Sequence, residues 1–318
     1  MHFQATRVAL SSLLSLLIIV ALGSRLGASP SPASEVKAEP AAQQSPELAP
    51  AELQPVPSTA PPASTVPAKP KKWAPEPGAT ETVIGHSQGS RPLTVYHFGG
   101  GSDSVLVLGG QHGGPEANTV RLAWQLLDYF EQRPEEIPSS LRLDFLPETN
   151  PDGLAIGSRQ FLSGVDPNRN WDGRNWSPDA ADSNGVFRRG LGGPEPFSEQ
   201  ETQALRDFVI ASRPVLTVNY HSRGGFLFGG GRIAEAYSAA SGYYRPGGGG
   251  GRTPGGGGAG SVLGYSATGS MNVWMGQEGY PAMLIELATS FDSEFNRNLA
   301  ALKATLALLT DPGSEAPL

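Results

Sequence analysis

The stretch Ser104-Val105-Leu106-Val107-Leu108-Gly109-Gly110-Gln111-His112-Gly113-Gly114-Pro115-Glu116 sets the frame for the whole chain. Its first part is a continuous apolar run ending in two glycines, the pattern of a strand buried on both faces. The glycines that follow permit a tight backbone turn, and Pro115 suits entry to a helix. A helix is predicted over Glu116–Glu131, because Val120, Ala123, Leu127 and Phe130 share one face and Pro134 lies beyond its end.

Before this stretch, Leu93–Phe98 is a second predicted strand, separated from Ser104–Leu108 by the Gly99-Gly100-Gly101 turn. Leu141–Leu146 is the next strand, closing at Asn150-Pro151-Asp152-Gly153, a strong turn signal. Ser198 and Glu201 have the spacing of a capping box for a helix running to about Ser212. Pro214–Tyr220 is then a strand ending at His221, and Ala282–Leu287 is another. The last helix carries Phe295, Leu299, Leu302, Leu306 and Leu309, and Asp311-Pro312-Gly313 stops it. Strands alternating with helices indicate an α/β layered domain, whose sites lie at strand ends. Gly229–Gly231 and Gly247–Gly258 match no phosphate-binding pattern and are expected to be flexible loop.

The 318 residues carry a net charge of −7, with no concentrated basic block, which excludes a nucleic-acid partner. Cysteine is absent, so disulfides, thiolate metal sites and cysteine nucleophiles are excluded, and any transition metal must rest on histidine and carboxylate. Arg7, the apolar run Val8–Gly23 and the small residues Gly27-Ala28-Ser29 have the form of a secretory signal peptide over residues 1–28, with an uncleaved short anchor as the alternative. Residues 29–77 are rich in Pro, Ala, Ser, Glu and Gln and are expected to form a disordered linker, spanning at most ~150 Å at about 3.1 Å per residue. The folded domain is then expected over residues 78–312, with a tail over 313–318. Nothing in the sequence marks an obligate protein partner.

His112, leaving a buried strand, and Glu116, opening the next helix, can hold one metal ion; alone, the pattern fits a capping glutamate beside an unrelated histidine as well. His221 ends another apolar strand, where a lone histidine is more often a satisfied core or loop residue. Together, two histidines and a carboxylate that leave a fourth position for water make the hydrolytic zinc arrangement. Glu286 interrupts the apolar strand Ala282–Leu287. An unpaired buried carboxylate costs several kcal/mol, so it needs either a cationic partner or a chemical role such as proton transfer beside a metal. Asn168 and Arg169 place an amide beside a planar bidentate donor, which suits a substrate carboxylate, although an arginine on a loop is usually just solvated.

The order His-Glu, Asn-Pro-Asp-Gly (150–153), Gly-Val-Asp-x-Asn-Arg-Asn (164–170), Pro-Phe-Ser-Glu-x-Glu-Thr (196–202), strand-His, Tyr and strand-Glu resembles the zinc metallocarboxypeptidases over about residues 80 to 310. The resemblance implies a three-layer α/β/α sandwich with a mixed central sheet and one zinc ion per chain, held by His112, Glu116 and His221. It implies Glu286 as general base, Arg159 as stabiliser of the oxyanion, and Asn168 and Arg169 as the grip on a free substrate carboxylate. It also implies Tyr265 as a mobile cover over the bound terminal residue, and Asn272 as the position facing that residue's side chain. The family has two residues between the first His and Glu, whereas here there are three, Gly113-Gly114-Pro115, so zinc binding requires a bulge. The compact spacing from Asn150–Gly153 to Asn168-Arg169 is most like that of bacterial murein peptide amidases. The expected substrate is a peptide or murein peptide, acted on by an exported enzyme in the cell envelope or outside it. An N-acyl amino acid deacylase and a metal-free protein that binds peptide C-termini are the alternatives.

Overall fold

The computed structural model describes residues 75, 80–246 and 264–311, all within one compact unit spanning Thr65–Leu318. The expected signal segment, most of the linker, the second glycine-rich stretch and the tail lie outside the described residues. No helix among those described is long and apolar enough to cross a membrane.

A seven-stranded mixed sheet forms the centre. Strands β1 (Glu81–His86), β2 (Pro92–Phe98), β3 (Asp103–Leu108) and β4 (Leu141–Leu146) make one half, and β7 (Leu216–Ser222), β8 (Phe226–Phe228) and β9 (Ala282–Leu287) the other. The spatial order is β1-β2-β4-β3-β7-β9-β8. The four middle strands run parallel, with β2 and β8 antiparallel to their neighbours. A two-stranded hairpin, β5 (Ala180–Ala181) and β6 (Phe187–Arg188), stands apart.

Helices cover both faces. On the first, Val105, Val107, Val218, Tyr220 and Ile285 pack against α1 (Ala117–Glu131), α4 (Gly231–Ser241) and α6 (Phe295–Leu309). On the second, Leu106, Leu108, Leu93 and Val95 pack against α3 (Gln200–Ser212) and α5 (Met271–Gln277), with Trp171 between. Alternate residues of each buried strand thus feed opposite cores, which is why β3 is apolar over Val105–Leu108; β4 instead alternates, its buried Arg142 and Asp144 paired at 2.7 and 2.9 Å. The three-layer architecture expected from the resemblance is present.

Several local expectations need correction. Asn150–Gly153 is not a free turn but the start of α2 (Pro151–Ile156), with the Asn150 Oδ1 accepting from the Gly153 N–H at 2.9 Å. The Ser198/Glu201 capping box does not form. The helix begins at Gln200 without a side-chain cap, and Glu201 instead accepts from the Gln88 N–H at 2.9 Å. Gly229–Gly231 is a tight joint between β8 and α4 rather than a flexible loop; a Cβ at Gly229 would sit 2.9 Å from Met283.

Candidate metal centre and active site

The parallel strands β3, β7 and β9 end at one edge of the sheet, and each delivers a polar group there. Beyond β3 the chain turns through His112 and Gly113, makes a 3₁₀ turn over Gly114–Glu116, and only then enters α1. That turn absorbs the extra residue. Gly113 takes φ +45°, and a Cβ on it would lie 2.4 Å from the Ser158 carbonyl oxygen, so the bulge requires glycine. His221 lies within β7, in direct register with Glu286 on β9. Registered residues of neighbouring parallel strands point to the same side of the sheet.

His112, Glu116 and His221 are all buried, and one ligand atom from each lies within 4.8 Å of the others. The His112 Nδ1 is 2.7 Å from Glu116 Oε1, and the His221 Nδ1 is 3.1 Å from Glu116 Oε2. The two Nδ1 atoms are 3.2 Å apart. Two imidazole nitrogens at that distance have room for at most one proton between them, and a carboxylate beside both completes a donor set that suits zinc. The His221 Nε2 is buried without a partner among the described residues. The contacts that hold its ring are therefore those of its Nδ1.

Two groups support these three. Asp166 accepts from the Arg159 Nε at 2.8 Å and lies 3.3 Å from the His112 Nε2. Arg159 also donates to Glu116 Oε1 at 3.2 Å, and its Nη2 is 2.9 Å from the His112 Nε2. The Arg159 Nη2 can only donate, so the His112 Nε2 accepts from it and the Nδ1–H faces Glu116 Oε1. A His112 that bound a metal through Nδ1 would instead carry its proton on Nε2, with Asp166 at 3.3 Å as the acceptor once Arg159 shifts. Asn118 on α1 donates to the carbonyls of Thr289 and Asp292 and accepts from Ser222 Oγ. The Ser222 N–H in turn donates to Glu116 Oε2 at 3.2 Å. Asn118 thus ties the helix behind Glu116 to the strands bearing His221 and Glu286.

The charges sort these carboxyls by role. Burial alone would raise Glu116, but the two imidazoles more than offset it and hold the group well below the usual carboxylate range. Burial likewise opposes the charge on Asp166, and Arg159 and His112 override it, keeping Asp166 ionised. Arg159 is shifted up, because the attraction of Asp166 and Glu116 exceeds the cost of burying it. Glu286 is different. Burial, reinforced by the nearby Glu116 charge and only partly countered by His221 and Arg159, pushes it up to about 7. A carboxylate so placed exchanges a proton near neutrality.

On the second face of the sheet, Arg169 donates to the carbonyls of Ala181 and Asn168 and, at 3.4 Å, to the Tyr265 hydroxyl. No carboxylate pairs with it among the described residues. The Asn168 Oδ1 accepts from the Met271 N–H at 2.9 Å and so fixes the start of α5. Asn272 follows on the first turn of α5, with its Oδ1 buried and unpartnered. His112, Glu116, His221, Arg159 and Glu286 come together at the strand ends, while Asn168, Arg169 and Tyr265 form a second group and Asn272 lies beside Met271 on α5. Asp166 and Asn118 were not singled out. Asp166 stands inside the Gly164–Asn170 motif, which could have revealed it; Asn118 leaves no mark in the sequence.

The profile of the zinc carboxypeptidase family matches residues 71–295. Murein peptide amidase A of Escherichia coli (strain K12) is 33% identical over 127 residues, covering 37% of this chain and 49% of that protein. Carboxypeptidase A2 of Mus musculus is 30% identical over 158 residues, 43% of this chain and 37% of that one. The chain thus spans about half or less of the length of these curated relatives. Among solved structures, the murein-tripeptide amidase of Escherichia coli O157 aligns with TM-score 0.57 and 22% identity, covering 74% of this chain and 94% of that one. Thrombin-activatable fibrinolysis inhibitor aligns with TM-score 0.60 and 16% identity, covering 71% and 68%. At these identities the structural likeness is one of fold.

Proposed function

We propose that this chain, which belongs to the zinc carboxypeptidase family, is an exported exopeptidase or amidase that hydrolyses a peptide bond next to a free carboxylate. Murein peptides are the substrate class favoured by the likeness to murein peptide amidase A. One observation carries the reading: His112, Glu116 and His221 converge at the sheet edge with Glu286 in register beside His221. The sequence supports export through Arg7 and the apolar run Val8–Gly23.

In this reading His112, Glu116 and His221 hold zinc, with Asp166 orienting the His112 ring. Bound there, zinc supplies Lewis-acid polarisation of the scissile carbonyl and makes water a better nucleophile. The residues of the chain do the rest. Glu286 accepts the proton of the attacking water and passes it to the leaving amine, a transfer for which a carboxyl near neutrality is suited. The Arg159 guanidinium stands against the ligand set, where it can meet negative charge as it develops on the carbonyl oxygen. Arg169 and the Asn168 amide hold the free carboxylate, and Tyr265 closes over Arg169. Asn272 carries no charge, so a C-terminal Lys or Arg gains no ion pair.

The test is release of free diaminopimelate from the tripeptide L-Ala-γ-D-Glu-diaminopimelate by the zinc-supplied full chain, with hippuryl-Phe and hippuryl-Arg alongside. Hydrolysis is expected, without preference for hippuryl-Arg. Absence of turnover on all three contradicts the reading, and much faster cleavage of hippuryl-Arg contradicts the role given to Asn272.

A further inference from the structure

Glu294 stands just before α6 with φ +52°, a backbone conformation that residues other than glycine seldom adopt. Its carboxylate serves two sets of donors. Oε1 accepts from the Ala288 N–H at 2.7 Å and the Thr289 N–H at 3.2 Å. Oε2 accepts from the Tyr243 hydroxyl at 2.6 Å and from the Arg297 Nη1 at 3.0 Å.

The first set bears on Glu286. Strand β9 pairs with β7 as far as Leu287 and with β8 as far as Glu286. Ala288 and Thr289 lie past the end of both ladders, so their N–H groups have no strand to bind. Glu294 is the acceptor they use instead, and it thereby holds the chain directly beyond the residue assigned as base.

The second set leads back to a metal ligand. The Asn298 amide donates to the Tyr243 oxygen at 3.1 Å, and its Oδ1 accepts from the Tyr237 hydroxyl at 2.7 Å. The Tyr237 oxygen is 3.0 Å from that of Tyr220, the residue immediately before His221. Tyr237 gives its one proton to Asn298, so Tyr220 is the donor between the two tyrosines. Tyr220, Tyr237, Tyr243 and Asn298 are all buried. Burial lifts the three hydroxyls well above the ordinary tyrosine value, and each keeps its proton. Every hydrogen bond in this line donates in the direction of Glu294. Only a group that accepts on both oxygens can end the line and still hold Ala288 and Thr289.

We propose that Glu294 is a positioning residue: through the Ala288 and Thr289 N–H groups it holds the end of β9, and so sets Glu286 against the strand that carries His221. This rests on the peptidase reading above.

Glu294→Gln keeps the size but offers one acceptor oxygen to two sets of donors, so one set faces an amide nitrogen. Glu294→Asp keeps the charge but is too short to reach both, and it decides the matter by the same readouts should the Gln variant fail to fold. Full-length wild type and variants are supplied with zinc, checked for zinc content, and assayed on the murein tripeptide and hippuryl-Phe. Amide hydrogen exchange at Ala288 and Thr289 is followed in the metal-free proteins. Exchange there is expected to quicken about ten-fold or more. With zinc content equal to wild type, kcat is expected to fall about 10–100-fold, the effect of misplacing a reacting group by about 1 Å, while KM stays within about two-fold. Unchanged kcat despite faster exchange, a fall that tracks lost zinc, or a rise in KM alone overturns the proposal. If wild type cleaves neither substrate the peptidase reading has failed, and exchange alone then decides whether Glu294 holds the strand end: unchanged protection in the variants overturns that too.

Discussion

Glu286→Gln separates chemistry from stability within one side chain. The Glu286 carboxyl moves from an ordinary value of 4.5 to about 7 in the fold, chiefly through burial and then through the Glu116 charge. The sign follows directly. Between those values the folded protein keeps a proton that the unfolded chain has lost, so stability falls as pH rises through the window. Above it the ionised group costs about 3 kcal/mol, whereas at pH 4.5 the cost is below about 0.5 kcal/mol. The Gln variant has no charge to bury. In metal-free protein at pH 8 it is expected to melt about 6–12 °C above wild type, taking about 2–4 °C per kcal/mol for a domain of this size. At pH 4.5 the two melt together. Supplied with zinc, the same variant is expected to lose about 10²–10⁴ in kcat as the proton acceptor disappears. Thermal unfolding in chelator at the two pH values, with steady-state kinetics in zinc, reads both effects. A variant no more stable than wild type at pH 8, or equally shifted at both pH values, refutes the electrostatic argument. Retained turnover refutes the base.

Asp166→Asn keeps the shape but removes the charge facing His112 and Arg159, so zinc affinity by chelator competition is expected to fall about 10–100-fold; unchanged affinity contradicts the orienting role. Gly113→Ala puts a Cβ against the Ser158 carbonyl at a backbone angle that L-residues avoid. It is expected to cost more than about 2 kcal/mol in denaturant unfolding, and a wild-type midpoint shows that the bulge does not need glycine. Glu116 and Asp166 run opposite to Glu286, because their folded values lie below the ordinary ones. Their stabilisation is present above about pH 4.5 and is lost as pH falls, so metal-free protein is expected to weaken steeply below pH 4 in an acid titration followed by fluorescence; a flat response contradicts the pairing.

The parts of the fold legible in the sequence were those where burial writes a long apolar signal. β3 is such a run and β9 is broken only by Glu286, while β4 and β7 interleave Arg142, Asp144, Thr217 and Asn219 with apolar residues; α1 and α6 show the helical period. β1 was not legible, because Glu81–His86 is a half-exposed edge strand containing Gly85, with polar Thr82 and His86. β8 is only Phe226–Phe228, hidden between glycine pairs. In α2, Asn150 caps a helix with the same side-chain geometry that makes Asn-Pro-Asp-Gly look like a turn. The metal and base residues stood out as polar groups at the ends of, or within, apolar strands. Asn118 did not, since its partners at Ser222, Thr289 and Asp292 come from distant parts of the chain.

The three-residue spacing between His112 and Glu116 is expected to build a zinc site all the same. Elemental mass spectrometry on the full-length protein, supplied with zinc and then dialysed against trace chelator, tests this most directly. About one zinc per chain is expected. Folded protein that retains none would contradict it.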